Sequence, residues 1–173
     1  DPGGRARHLS ARRPSGGEGR RRSLGIGYRL VDTALNYGNE TGTGGRGGVA
    51  RSDVPRGEVF VTTKVPGRHH GYEKTLASFE ESRANLGLDY VDLYLIHWPL
   101  PKVGLYVETW RALIKLREEG LVRSIGVSNF TAEHLTRLED ETGVVPAVNQ
   151  IELHPPGCRR RSCGPCTRRW ASS

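Results

Sequence analysis

The stretch Leu88-Asp-Tyr-Val-Asp-Leu-Tyr-Leu-Ile-His-Trp-Pro99 decides the fold that this sequence predicts. Within it, Val91 to Ile96 is an almost continuous apolar run, which is typical of a parallel strand that helices cover on both faces. His97 follows directly, so a side chain capable of proton transfer stands at the end of the strand. The same pattern, a buried strand followed by a reactive side chain, recurs along the chain.

Five apolar runs rich in β-branched residues alternate with segments of helical spacing. The runs are Tyr28 to Val31, Val59 to Thr63, Val91 to Ile96, Ser124 to Val127 and Ala147 to Leu153. The predicted helices are Tyr72 to Leu86, Val107 to Glu119, and one that begins after Thr131 and stops at Gly143. This is a βαβ repeat, and periodicity alone leaves open whether the sheet is a barrel or doubly wound. No GxGxxG fingerprint follows a strand, because the Gly-rich stretch Gly42 to Gly48 comes after the segment Asp32 to Glu40 instead. This disfavours the open dinucleotide-binding sheet.

The two ends of the chain differ in composition from its middle. Residues 1–23 and residues 157–173 each carry a net charge of +5, which leaves −3 of the total +7 for residues 24–156. Both ends are rich in Gly, Pro, Ser and Arg, so we predict that they are disordered and that 24–156 forms the domain. Basic arms that bind nucleic acid are the alternative, but no aromatic residues interleave with the arginines and we do not expect that partner.

Neither a metal site nor a membrane segment is predicted. Cys163 and Cys166 have CxxC spacing, which is half of a zinc site or a redox pair, but no second ligand pair lies at the required spacing. No apolar run approaches the roughly 20 residues that cross a bilayer, and no signal peptide is recognised. We therefore expect a cytoplasmic protein.

Chemically active residues follow the apolar runs. They are Asp32 and Tyr37 after the first, Lys64 after the second, His97 after the third, Ser128 and Asn129 after the fourth, and Gln150 within the fifth. In a barrel of parallel strands the carboxyl ends of all strands meet at one opening, where active sites lie. Each residue alone is explained by an ion pair or a helix cap. Together, an Asp, a Tyr, a Lys and a His form a workable acid-base site.

The chemistry of these four residues is proton donation. A tyrosine with a pKa near 10 is a poor acid at neutral pH, but a neighbouring ammonium lowers that pKa, and Lys64 supplies one. Asp32 holds Lys64 in place and keeps it charged. A neutral His97 donates a hydrogen bond to a carbonyl oxygen. We expect Tyr37 to be the proton donor.

Five segments resemble, in order, the motifs of the aldo-keto reductase family. The residues within these motifs are most similar to those of its bacterial diketogluconate reductase branch. The segments are Gly27 to Glu40, Val59 to Lys64, Leu88 to Pro99, Ile125 to Phe130 and Val145 to Pro155. The resemblance implies an incomplete (β/α)8 TIM barrel in which residues 24–156 supply about strands two to six. It also implies hydride transfer from NADPH to a small-molecule aldehyde or ketone.

The resemblance assigns roles to individual residues. It implies that Tyr37 is the general acid, that Lys64 and Asp32 tune it, and that His97 orients the carbonyl group. Four residues are implied at the cofactor: Asp32, Ser128, Asn129 and Gln150. Trp98 is implied at the border of the substrate pocket, beside His97. The alternative function is that of a catalytically inactive reductase fragment that acts as a binding module through its basic ends, and the oligomeric state is not specified.

Overall fold

The computed structural model describes residues 16–44 and 48–153, and a single parallel sheet organises them. Its strands are β1 (Leu30–Asp32), β2 (Phe60–Val65), β3 (Val91–Ile96), β4 (Val122–Ser128) and β5 (Asn149–Gln150). The strand order in the sheet is the order along the chain, and every neighbouring pair is parallel. Each connection therefore returns the chain to the same end of the sheet, where the next parallel strand begins, which confirms the predicted βαβ repeat.

One helix precedes β1, and the others lie in the connections between the strands. The helices are α1 (Gly16–Gly25), α2 (Glu40–Thr43), α3 (Tyr72–Leu86), α4 (Tyr106–Glu118) and α5 (Ala132–Thr142). The predicted cap of α5 is present, because the Thr131 hydroxyl accepts a hydrogen bond from the backbone N–H of His134. Both α3 and α5 end at a glycine with left-handed φ, Gly87 at 61° and Gly143 at 68°.

The core lies between the sheet and the helices. Its largest fully buried apolar side chains include Trp110 on α4, Phe79 on α3 and Tyr94 on β3. The rings of Phe79 and Tyr94 meet edge to face, with centroids 5.2 Å apart. The Trp110 indole N–H donates to the backbone oxygen of Val144 at 3.1 Å, so the polar atom of this buried ring has a partner. This layer fixes β3 in the centre of the sheet.

The sheet curls strongly enough to bring its first and last strands face to face. Gln150 Nε2 on β5 lies 3.4 Å from Asp32 Oδ2 on β1. These two strands are the outer strands of the sheet, and apolar residues at them are exposed: Leu30 on β1 is 64% exposed, and Val148, just before β5, is 41% exposed. This curl, the parallel order and the covering helices match an incomplete (β/α)8 barrel, as predicted, and we call the described residues the half-barrel.

Element bounds and the amino-terminal region depart from the predictions. Strands β1 and β5 are shorter than the apolar runs that indicated them. Residues 16–23, which composition assigned to a disordered segment, lie in α1, because Leu24 anchors that helix in the core at 1% exposure. Residues 1–15 and 157–173, with Cys163 and Cys166, lie outside the described residues. None of the helices in the described part of the chain is long and apolar enough to cross a membrane.

His70, in the connection between β2 and α3, predicts a pH dependence of folding. Its ring is buried, and neither ring nitrogen has a hydrogen-bond partner within residues 16–44 and 48–153. Burial lowers its pKa from 6.5 to about 4. Below pH 6.5 the unfolded chain therefore binds a proton at His70 that the folded chain does not. The free energy of unfolding decreases for this reason as the pH falls from 6.5 towards 4.

The variant His70→Leu isolates that effect. Between pH 7 and pH 5 the parent should lose about 2 kcal/mol of folding free energy through His70, and the variant should lack that part of the decrease. Urea denaturation of both proteins at the two pH values measures it. Identical pH dependence in the two proteins would show that the His70 proton is not linked to folding.

Candidate active site

The carboxyl ends of the strands place the predicted residues together. The loops that follow β1 to β5 form one rim, which we call the mouth. Asp32 is the last residue of β1, Lys64 lies one residue before the end of β2, and His97 follows β3 directly. Because the three strands are adjacent and parallel, their side chains meet at the mouth.

Lys64 and Asp32 form the centre of the site. The Lys64 side chain is only 1% exposed, and its ammonium donates to Asp32 Oδ1 at 2.7 Å and to the backbone oxygen of Thr33 at 3.1 Å. A buried ammonium needs such partners, because an unpaired charge is costly away from water. The Asp32 carboxylate is 40% exposed and also accepts from Gln150 Nε2. The pair therefore fixes the Lys64 ammonium at the base of the mouth, next to the carboxylate that neutralises it.

Tyr37 stands beside this ion pair. It ends the short 3-10 turn Leu35–Tyr37, and Gly38 terminates that turn with φ of 61°. Lys64 Nζ lies 5.4 Å from the centroid of the Tyr37 ring. The His97 ring meets the Tyr37 ring edge to face, with centroids 5.7 Å apart. Half of Tyr37 is exposed, so its ring borders open space at the mouth.

The predicted direction of the Tyr37 pKa shift is wrong for this structure. Burial and the negative charge of Asp32 raise the pKa of Tyr37 above its usual value of 10. Sequence reasoning counted the ammonium of Lys64 but not that Asp32 neutralises it at 2.7 Å. Tyr37 therefore keeps its proton at neutral pH, which a proton donor requires.

His97 is a neutral imidazole at neutral pH. Burial and the positive charge of Lys64 lower its pKa below 6.5, although Asp32 acts in the opposite direction. Its Nδ1 is buried and has no hydrogen-bond partner among the described residues. Trp98, the next residue, is 53% exposed beside it. His97 can therefore offer an N–H to a neutral acceptor such as a carbonyl oxygen.

Ser128, Asn129 and Gln150 cluster on the neighbouring strand ends. The Ser128 hydroxyl donates to the backbone oxygen of Gln150 at 3.0 Å, and the Asn129 side-chain N–H donates to Ser128 Oγ at 3.1 Å. Asn129 also donates to the backbone oxygen of His97 at 3.3 Å. Asn129 has φ of 64°, a left-handed conformation that asparagine tolerates better than most residues. The cluster thus joins β4 and β5 to the end of β3.

Glu40 is a buried acid that sequence reasoning missed. Its carboxylate accepts from the Thr63 hydroxyl at 2.6 Å and from the Asn85 amide at 3.3 Å. Glu40 lies three residues after Tyr37, and Thr63 precedes Lys64, so this contact ties together the two segments that carry them. From sequence, an acid in the first turn of a helix is expected to be exposed and to interact with the helix dipole. The sequence contains no signal that Glu40 is buried.

The comparisons with known proteins agree with this arrangement. The family model described as "Aldo/keto reductase family" matches residues 20–163. An aldo-keto reductase of Mycobacterium sp. (strain JLS) is 57% identical over 133 residues, which are 77% of this chain and 48% of that protein. The 2,5-diketo-D-gluconic acid reductase B of Corynebacterium sp. (strain SHS752001) is 56% identical over 133 residues, 77% of this chain and 47% of that protein.

Solved structures show the same likeness. A mutant of Gox0644 crystallised in complex with NADPH superimposes with a TM-score of 0.74 at 49% identity, covering 83% of this chain and 51% of that one. The chain spans about half the length of the curated relatives that it matches. The half-barrel, the order of the motifs and the matching family model agree. The chain belongs to the aldo/keto reductase family.

Proposed function

We propose that the protein is an NADP(H)-dependent reductase of aldehydes or ketones. One observation carries this proposal: the buried Lys64 pairs with the partly exposed Asp32, and Tyr37 and His97 lie next to this pair at the mouth of the half-barrel. Among the relatives, one is named for a diketo acid and one was solved with NADPH, in agreement with a carbonyl substrate and this cofactor. The binding-module alternative depends on basic ends that lie mostly outside the described residues.

The nicotinamide end of the cofactor fits the side chains that the strand ends offer. Its primary amide needs hydrogen-bond acceptors for the NH₂ group. Asn129 Oδ1 and Gln150 Oε1 accept no hydrogen bond within the described ranges, while the N–H groups of the same side chains are engaged. We assign Ser128, Asn129 and Gln150 to this amide, with Asp32 next to them. When bound, NADPH supplies the hydride that reduces the carbonyl carbon.

The residues of the chain handle the oxygen of the substrate. His97 donates a hydrogen bond to the carbonyl oxygen and orients it, because its imidazole is neutral. As negative charge develops on that oxygen, Tyr37 gives up its phenolic proton to it. Lys64 then stabilises the phenolate that remains, since its ammonium is held beside the ring. Asp32 positions Lys64 through the 2.7 Å hydrogen bond that its carboxylate accepts.

The test is reduction of an aldehyde by the complete 173-residue chain, followed by the loss of NADPH absorbance. Steady-state turnover of a simple aldehyde, with one NADPH oxidised for each alcohol formed, is the result that the proposal requires. A folded chain that oxidises no NADPH in the presence of any aldehyde tested would overturn it. The variant at the proposed acid, Tyr37, shows whether any turnover belongs to this site.

A further inference from the structure

The loops of the mouth carry more positive than negative charge. Beyond the neutralised Lys64–Asp32 pair, their charged residues in the described part of the chain are Arg68, Lys102 and Glu152. Residues 24–156 as a whole have a net charge of −3, so this local excess runs against the charge of the domain. A cationic rim around a cleft raises the local concentration of anions.

Arg68 is the cation that contacts the segment carrying the proposed proton donor. It belongs to the 3-10 turn Gly67–His69, four residues after Lys64 in sequence. Its guanidinium donates a hydrogen bond to Asn36 Oδ1, and Asn36 is the residue before Tyr37. The guanidinium is thus held beside the proposed proton donor by a neutral side chain.

The remaining hydrogen-bonding capacity of Arg68 is open. A guanidinium has five N–H donors in a rigid fork, and Asn36 occupies only one of them. No carboxylate of the half-barrel forms an ion pair with Arg68, whereas Arg56, Arg83, Arg123 and Arg137 all pair with acids. The side chain is exposed at the mouth, so a ligand can reach it.

We propose that Arg68 binds an anionic group of the substrate, so that the carbonyl compounds preferred at this site carry a carboxylate. This specificity rests on the proposed carbonyl reduction. The carbonyl oxygen lies with Tyr37 and His97, and a carboxylate a few carbons away meets the guanidinium that Asn36 holds. Lys102, on the loop after His97, adds to the attraction without a contact of its own.

A matched pair of aldehydes tests the proposal with the complete chain and NADPH. Butanal and 4-oxobutanoate have the same four-carbon backbone and differ in the terminal carboxylate. Arg68→Gln should raise KM for 4-oxobutanoate about tenfold and change KM for butanal less than twofold, since an exposed charged hydrogen bond contributes modestly. Arg68→Lys should restore part of the difference, and 0.5 M salt should shrink it in the parent.

The control variant is Arg117→Gln, which removes an arginine from the last turn of α4, at the opposite end of the sheet. It should leave both KM values unchanged. An equal loss with both aldehydes in Arg68→Gln, particularly in kcat, would overturn the proposal, because Arg68 would then act through Asn36 and Tyr37. No change with either aldehyde would overturn it too.

Failure of the reductase function is distinguished by a binding measurement. If the parent reduces neither aldehyde, carbonyl reduction by this chain is refuted. Ligand-observed NMR titration with 4-oxobutanoate then decides the question of Arg68 on its own. Binding that is lost in Arg68→Gln and kept in Arg117→Gln would support anion recognition, and absent or equal binding in all three proteins would overturn it.

Discussion

Replacement of Tyr37 by Phe should lower the rate of carbonyl reduction by about 10²- to 10⁴-fold, the usual contribution of a positioned general acid. The substitution removes only the phenolic oxygen. The ring contacts with His97 and Lys64 remain available to Phe, so the site should keep its shape. NADPH binding should be unchanged, because none of the residues assigned to the nicotinamide is altered. Single-turnover and steady-state NADPH oxidation measure the loss.

Tyr28→Phe is the matched control for that variant. Tyr28 lies just before β1 and is 65% exposed, so loss of its hydroxyl should leave the rate unchanged. If Tyr37→Phe reduced aldehydes at the parental rate, another group would have to donate the proton. If Tyr37→Phe also lost NADPH binding, the substitution would have disturbed more than the acid.

Asp92→Ala should lower the free energy of unfolding by about 3 kcal/mol, the lower part of the range for breaking a buried ion pair. Asp92 on β3 is buried, and Oδ2 accepts from the backbone N–H of Val61 at 2.9 Å and pairs with Arg56 at 2.8 Å. Oδ1 pairs with Arg123 at 3.1 Å. Removal of the carboxylate leaves that N–H without its acceptor and the largely buried Arg56 without its counter-charge, although the guanidinium still donates to two backbone oxygens. Arg123 is more than half exposed, which keeps the loss near the lower end.

Tyr90 completes the cluster around Asp92. Both guanidinium groups lie over its ring, Arg56 at 4.1 Å and Arg123 at 4.6 Å from the centroid. Urea denaturation measures the free energy of unfolding of Asp92→Ala and of the surface control Asp89→Ala. The comparison distinguishes loss of the buried cluster from the general effect of removing one negative charge. The control should change stability by less than about 0.5 kcal/mol. Equal stability of Asp92→Ala and the parent would show that the cluster does not hold β2 to β3.

The central part of the fold could be predicted from sequence because its buried strands are continuous apolar runs. Strand β3 and helix α3 begin and end at the predicted residues. The carboxyl ends of adjacent parallel strands lie at the same end of a sheet. The positions of Asp32, Lys64 and His97 at three such ends therefore predicted that they share one opening. The outer strands were predicted too long, because apolar residues such as Leu153 continue beyond the last ladder bond at the edge of the sheet.

Features that depend on the partner of a charge could not be predicted. The pKa of Tyr37 depends on how completely Asp32 neutralises Lys64, and only the 2.7 Å contact determines that. Burial of Glu40 depends on Thr63 and Asn85, which lie 23 and 45 residues away along the chain. Helix α1 is held by Leu24 in an arginine-rich segment whose composition alone indicates disorder.

The most direct test of the central claim is a fluorescence titration of the complete chain with NADPH and with reduced nicotinamide mononucleotide, which lacks the adenosine half. All residues assigned to the cofactor serve its nicotinamide end, so both molecules should bind saturably, with dissociation constants within about tenfold of each other. Gln150→Ala should weaken both. If a chain shown to be folded by circular dichroism bound neither molecule, the mouth of the half-barrel would not be a nicotinamide site and the account would be contradicted.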